Sequence, residues 1–202
     1  MYSGLDLHGL LVEGRSGDSF DRHVLACTIV IGLTEAERPL TEALGLAAGP
    51  LQVLVNKLFP HAVGLVPIPS AGGAGEDAFE EPDLRQLLLD HRSRGVEEEE
   101  WLAAIVARRS VRPNHLWQDL GLFDRSELNR LLHNHFHALA VQNGKDMKWK
   151  KFFYRTLCQR DGILVCKAPN CEVCVDVQLC FGGEEGEPLT ALQAALLQKR
   201  QS

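Results

Sequence analysis

The 202-residue chain reads as mainly α, a helical body with a cysteine-rich metal-binding loop near its C-terminus. Two observations predict this. Nearly every periodic segment repeats its apolar residues at intervals of three and four, bracketed by residues that start and stop helices. Five of the six cysteines are bunched between Cys158 and Cys180, while Cys27 stands alone.

The first periodic stretch is 19–32, where Val24, Leu25, Thr28 and Ile29 face a core. Its run Thr-Ile-Val-Ile leaves a buried strand open as an alternative. Residues 34–46 and 50–59 read as helices, with Gly49-Pro50 as the break between them and proline at a first helical position. A composition change follows. Residues 66–82, rich in proline, glycine and serine, read as a flexible connector between an N-terminal helical segment (1–65) and a second helical region (83–202).

Pro82 opens a helix running to residue 90. Residues 97–109 place four glutamates in the first turn and two arginines in the last, complementing both ends of the helix dipole. Asp124 with Glu127 makes a capping box before a stripe of Leu128, Leu131, Leu132, Phe136 and Leu139, and Asn143-Gly144 stops that helix. Residues 147–160 form another helix, ended by Asp161-Gly162. A last amphipathic helix follows Pro188. The acidic block 76–100, with ten Asp/Glu against three arginines, reads as a solvated face.

Composition excludes several classes. A hydrophobic fraction of 45% and a charged fraction of 24% are those of a globular protein. A net charge of −6 argues against nucleic acid and anionic membranes as partners. The longest apolar run is ten residues, about half of what a bilayer crossing requires. The N-terminus lacks the pattern of a secretory signal, so a cytoplasmic location is expected, where clustered thiols are more often metal ligands than disulfides. No phosphate-binding loop or nucleophile elbow stands out; Ser70-Ala-Gly-Gly-Ala-Gly does not complete one. A hydrolase or a nucleotide-binding enzyme is therefore not expected.

Cys166, Cys171, Cys174 and Cys180 are spaced C-x4-C-x2-C-x5-C. Thiolates are soft ligands that select zinc, copper(I) or iron–sulfur clusters. Four thiolates suit the corners of a cubane-type cluster, and they also suit structural zinc. On spacing alone, a metal–sulfur cluster, a zinc site and redox-active thiols all stay open, with the cluster preferred because only Cys171 and Cys174 form a zinc-knuckle pair.

Three stretches together carry a resemblance: LWQDLGL (116–122), MKWKKFFYRTLC (147–158), and the four-cysteine loop closing in CFG (180–182). Over about residues 82 to 182 the chain resembles the NifQ family, which supplies molybdenum for nitrogenase iron–molybdenum cofactor biosynthesis. The resemblance implies a carrier of a Mo-3Fe-4S type cluster, held by Cys166, Cys171, Cys174 and Cys180, with molybdate as molybdenum source. It also implies handover to the NifEN scaffold and NifH. A ferredoxin-like electron carrier and a zinc-stabilised interaction module remain the alternatives.

Further residues bear on that chemistry. Trp149, Phe152, Phe153 and Leu157 form the core side of helix 147–160, and Lys148, Lys151 and Arg155 line the other. The segment 145–167 carries seven Lys/Arg against two Asp, which reads either as a solvated face or as a surface attracting an oxyanion or an acidic partner. Cys158 is a candidate extra ligand or a structural thiol. Cys27 reads as a core cysteine. His135 falls in the apolar stripe as a core histidine, while His133 and His137 share the polar face.

Overall fold

The computed structural model describes residues 3–35, 37–162, 171, 174–175, 177–184 and 186–201. Among these, helices are the only regular elements.

α1 (Gly4–Val12), absent from the sequence-based expectation, starts from a capping box: the Ser3 hydroxyl accepts from the Asp6 N–H while the Asp6 carboxylate reaches back to the Ser3 N–H. α2 (Ser19–Thr34) is capped by the Asp18 carboxylate, which accepts from Phe20 at 2.8 Å and Asp21 at 3.1 Å. Residues 24–32 are all buried. That answers the strand alternative, because a helix apolar on every side belongs at the centre of a helical body. The Thr28 hydroxyl is satisfied within the helix by the Leu25 carbonyl.

The expected helix 34–46 shrinks to α3 (Leu40–Leu44). Pro39 cannot continue a helix from α2, and Gly45 closes α3 behind it. α4 (Ala48–Leu58) begins before the expected break, with Pro50 absorbed in its first turn, where N–H groups lack helical partners anyway. A 3-10 turn, Val63–Leu65, leads into irregular chain. That chain is hydrogen-bonded to the body: the Gly72 carbonyl accepts from Ala48 and the Ala74 carbonyl from Arg108. One apolar cluster draws residues from both sides of it, Leu54 and Leu58 upstream and Leu84 and Leu102 downstream. Each such Leu contributes about 1.5–3 kcal/mol on burial.

α5 (Glu81–Asp90) packs on α6 (Glu97–Ser110), the second central helix. Two acids of the 76–100 block depart from the solvated reading, since Glu81 and Glu99 are completely buried. Glu81 pairs with Arg108 at 2.7 Å and Arg85 at 3.0 Å. Glu99 accepts from the Arg94 and Gly95 N–H groups and is ion-paired with Arg94. The α6 arginines are buried as well, Arg108 against Glu81 and Arg109 against Glu35.

Beyond α6 come α7 (Leu116–Asp119), α8 (Arg125–His135) and α9 (His137–Ala140), then a 3-10 turn, Val141–Asn143. Asp124 caps α8 as expected, accepting from the Glu127 N–H at 3.1 Å, but the Glu127 carboxylate takes the Phe123 N–H at 3.0 Å. The expected continuous helix breaks at Phe136. Ser93, from the α5–α6 turn, supplies the reason, donating its N–H to the His135 carbonyl and accepting the His137 N–H on its hydroxyl. α10 (Trp149–Arg160), α11 (Val177–Phe181) and α12 (Ala191–Gln201) complete the chain, with α12 lying against α1. None of the described helices is long and apolar enough to cross a membrane.

Candidate functional site

α10 is built as expected. Trp149, Phe152, Phe153 and Leu157 are buried, with Trp149 edge-on to Phe152 and its indole N–H donating to Asn129 Oδ1 at 2.6 Å. Opposite them, Lys151 is exposed and Lys148, Arg155 and Cys158 are half-buried. Lys150 leaves this face: its ammonium lies 2.6 Å from Asp119 Oδ2 and 2.6 Å from the Arg112 carbonyl. Burial holds the Lys150 ammonium below its ordinary pKa, and Asp119 opposes that shift.

The entry to α10 is fixed on both sides. Asp146 adopts a left-handed φ of 55°, a conformation Asp tolerates better than most residues. Arg125, at the start of α8, donates to the Asp146 carboxylate at 2.8 Å and to the Met147 carbonyl at 2.8 Å. Its other terminal nitrogen lies 3.1 Å from Glu184, just beyond the cysteine loop.

Of the four loop cysteines, Cys166 lies outside the described residues. Cys171, Cys174 and Cys180 are free thiols, each half-buried. The Cys174 N–H donates to the Cys171 carbonyl at 3.4 Å, and the Cys174 carbonyl accepts from Val177 at 3.2 Å as α11 begins. Cys180 sits in α11, and with Phe181 it packs against the main apolar cluster. Its carbonyl accepts the Lys148 N–H at 2.8 Å, joining the last loop cysteine to the first turn of the basic helix. At Gly182 a Cβ would stand 2.5 Å from the Gln178 carbonyl oxygen, so the chain leaves α11 through a space only glycine fits.

After the loop the chain latches onto the LWQDLGL stretch. The Gln118 amide donates to the Glu187 carbonyl at 2.8 Å, and the fully buried Gln193 amide donates to the Gln118 and Leu122 carbonyls. Gly121, with φ 75°, turns this stretch against α2, where a Cβ would meet the Cys27 carbonyl oxygen at 2.7 Å. The three stretches singled out in the sequence are thus bonded together through Lys150–Asp119 and Lys148–Cys180, and Gln118–Glu187 ties down the chain that follows the loop. Sequence reasoning missed this latch. Arg125, Glu184 and Gln193 lie outside those stretches, and no spacing announces their partners.

Other candidates separate. Among the described residues, no hydrogen bond or ion pair links Lys151, Arg155 or Cys158 to a loop cysteine. His133 and His137 are exposed, their rings 5.8 Å apart. His135 is buried as expected and is satisfied by Asp21 at 2.8 Å and Arg94 at 3.0 Å. Cys27 is buried in the core.

No solved structure matches the chain. Its sequence is 42% identical over 175 residues to the protein NifQ homolog of Sinorhizobium fredii (strain NBRC 101917 / NGR234), covering 83% of this chain and 74% of that protein. It is 50% identical over 108 residues to protein NifQ of Azotobacter vinelandii, 54% of each chain. Against protein NifQ of Rhodobacter capsulatus it is 36% identical over 149 residues, 71% of this chain and 78% of that one. The likeness therefore reaches well upstream of residue 82, where the resemblance read from the sequence begins. The NifQ family model matches residues 24–182, most of the length, and the chain belongs to the NifQ family.

Proposed function

We propose that this chain is a cytoplasmic carrier that supplies molybdenum for nitrogenase iron–molybdenum cofactor assembly. It holds the metal with iron and sulfide on Cys166, Cys171, Cys174 and Cys180, as a cargo of the Mo-3Fe-4S type, and passes it to the NifEN scaffold with NifH. In this reading it is not an enzyme. The observation that carries the reading is the C-x4-C-x2-C-x5-C loop in a chain of the NifQ family.

The donor set suits the cargo. The three described loop cysteines are free, half-buried thiols, neither sealed in the core nor fully in water. Molybdate arrives as a divalent oxyanion, and the face of α10 bearing Lys148, Lys151 and Arg155 begins where Cys180 is anchored. Electrostatic attraction there raises the local concentration of anion, and thiolates are the ligand type that retains molybdenum together with iron and sulfide.

Metal analysis of anaerobically purified protein tests this. Molybdenum together with iron and acid-labile sulfide supports the carrier. Iron without exchangeable molybdenum would favour an electron carrier, and zinc alone would favour an interaction module.

A further inference from the structure

A second donor set is assembled inside the helical body. His23 and Cys27 stand four residues apart on α2, which places them one turn apart on one side. α1 packs on that side and contributes His8. His8 Nε2 lies 3.1 Å from His23 Nδ1, and Cys27 Sγ lies 3.8 Å from His23 Nδ1 and 3.7 Å from its Nε2. All three residues offer ligand atoms within 4.8 Å of one another. His8 and Cys27 are buried, and the half-buried His23 ring stands edge-on to Phe123, which limits water.

His23 is also oriented from behind. Its Nε2 lies 3.3 Å from Glu127 Oε2. A carboxylate there can accept an Nε2 proton, which would leave Nδ1, 3.1 Å from His8 Nε2, as the ligand nitrogen, as an outer carboxylate does for metal-ligating histidines. We propose that His8, His23 and Cys27 bind a single zinc-class cation, with Glu127 as the positioning residue for His23. Two imidazoles and a thiolate select such borderline ions over magnesium or calcium. Around a tetrahedral ion with ordinary Zn–N and Zn–S lengths, ligand atoms stand about 3.4 Å (N to N) and about 3.6 Å (N to S) apart. The 3.1 and 3.8 Å separations on Nδ1 are within a few tenths of an ångström of that geometry.

Burial, and then the Glu127 charge, push the Cys27 thiol well up, and metal binding there would release its proton. Three protein ligands leave the fourth position of the ion to water or an incoming group. The bland alternative uses the same atoms without metal, as a hydrogen-bond relay from His8 through His23 to Glu127 with the thiol as bystander.

Cobalt(II) distinguishes the two, because a bound thiolate gives it a sulfur-to-metal charge-transfer band. The titration uses the full chain with Cys166, Cys171, Cys174 and Cys180 all changed to serine, which makes it independent of the cluster loop. One cobalt per chain, with that band, is expected, and zinc should displace it and raise the thermal midpoint. Cys27→Ala should abolish the band and His8→Ala should weaken binding. Glu127→Gln should weaken it about 10- to 100-fold while the band persists at saturation. Absence of the band in the loop-serine chain itself, or its persistence in Cys27→Ala, would overturn the proposal.

Discussion

The helical body and the cysteine-rich segment are held in opposite ways. In the body, charges are locked inside: Glu81 and Glu99 are completely buried and paired with Arg85, Arg94 and Arg108, and residues 24–32 of α2 are all buried. The described part of the segment 171–187 is held by Lys148–Cys180, Arg125–Glu184 and Gln118–Glu187 and by Cys180 and Phe181 against the apolar cluster, and its three described thiols are only half-buried. Half-buried thiols at the edge of a packed body suit the proposed carrier role, because ligands on a short segment can bind metal without repacking the core. The two thiol sites differ in the same way. His8, His23 and Cys27 are close together on packed helices, whereas the three described loop cysteines are half-buried, with Cys180 in the short α11.

The largest stability effect should come from the body. Glu81→Ala strands Arg108 as a buried, half-compensated cation and should cost about 3–5 kcal/mol in denaturant unfolding. Molybdenum bound per folded molecule should stay unchanged. A loss of metal without a loss of stability would erase the distinction between body and segment.

Gly182→Ala sharpens the comparison from the other side. Its new Cβ would meet the Gln178 carbonyl oxygen at 2.5 Å, deforming the exit from α11 and the seat of Cys180. Metal content should fall while unfolding of the body shifts little. Equal effects on both would mean that the segment and body fold as one unit.

The basic face of α10 comes next. Lys151→Gln with Arg155→Gln should slow molybdenum loading and flatten its salt dependence, since exposed charges are screened over about 8 Å at physiological ionic strength. Iron content should stay normal. Parental loading across a salt series would leave the stripe as a solubilising surface only.

The smallest effect concerns the cap of α2. Backbone N–H donation from Asp21 first, and then from Phe20, holds the Asp18 carboxyl below its ordinary pKa, with partial burial opposing. A lowered folded pKa stabilises the protein above the unfolded carboxylate value, and that stability is lost as pH falls through the folded value. Asp18→Ala should cost about 1 kcal/mol at neutral pH and less below both values, where the charge-linked part of the cap is gone, read from unfolding curves across a pH series.

What was legible in the sequence follows the range of the interactions. Local signals were readable: the Asp124 cap, the Trp149–Leu157 core face, the satisfied core role of His135 and the cysteine spacing. The Ser3–Asp6 box that starts α1 was equally local and went unused. Long-range partners were not legible. Glu81 looked solvated because Arg108, 27 residues away, is what allows its burial. The helix through Phe136 looked continuous because Ser93, 44 residues from His137, takes over its hydrogen bonds. His23 and Cys27 showed helical spacing, but only the packing of α1 adds His8 to them.

The central claim rests on the four loop cysteines, and single Cys→Ser variants at 166, 171, 174 and 180 test it most directly. Molybdenum and iron are measured together in anaerobically isolated protein, beside thermal unfolding of the same samples. An alcohol is a much poorer soft-metal ligand than a thiolate, so each variant should lose both metals together while the helical body keeps its midpoint. Unchanged molybdenum and iron in all four variants would contradict the account.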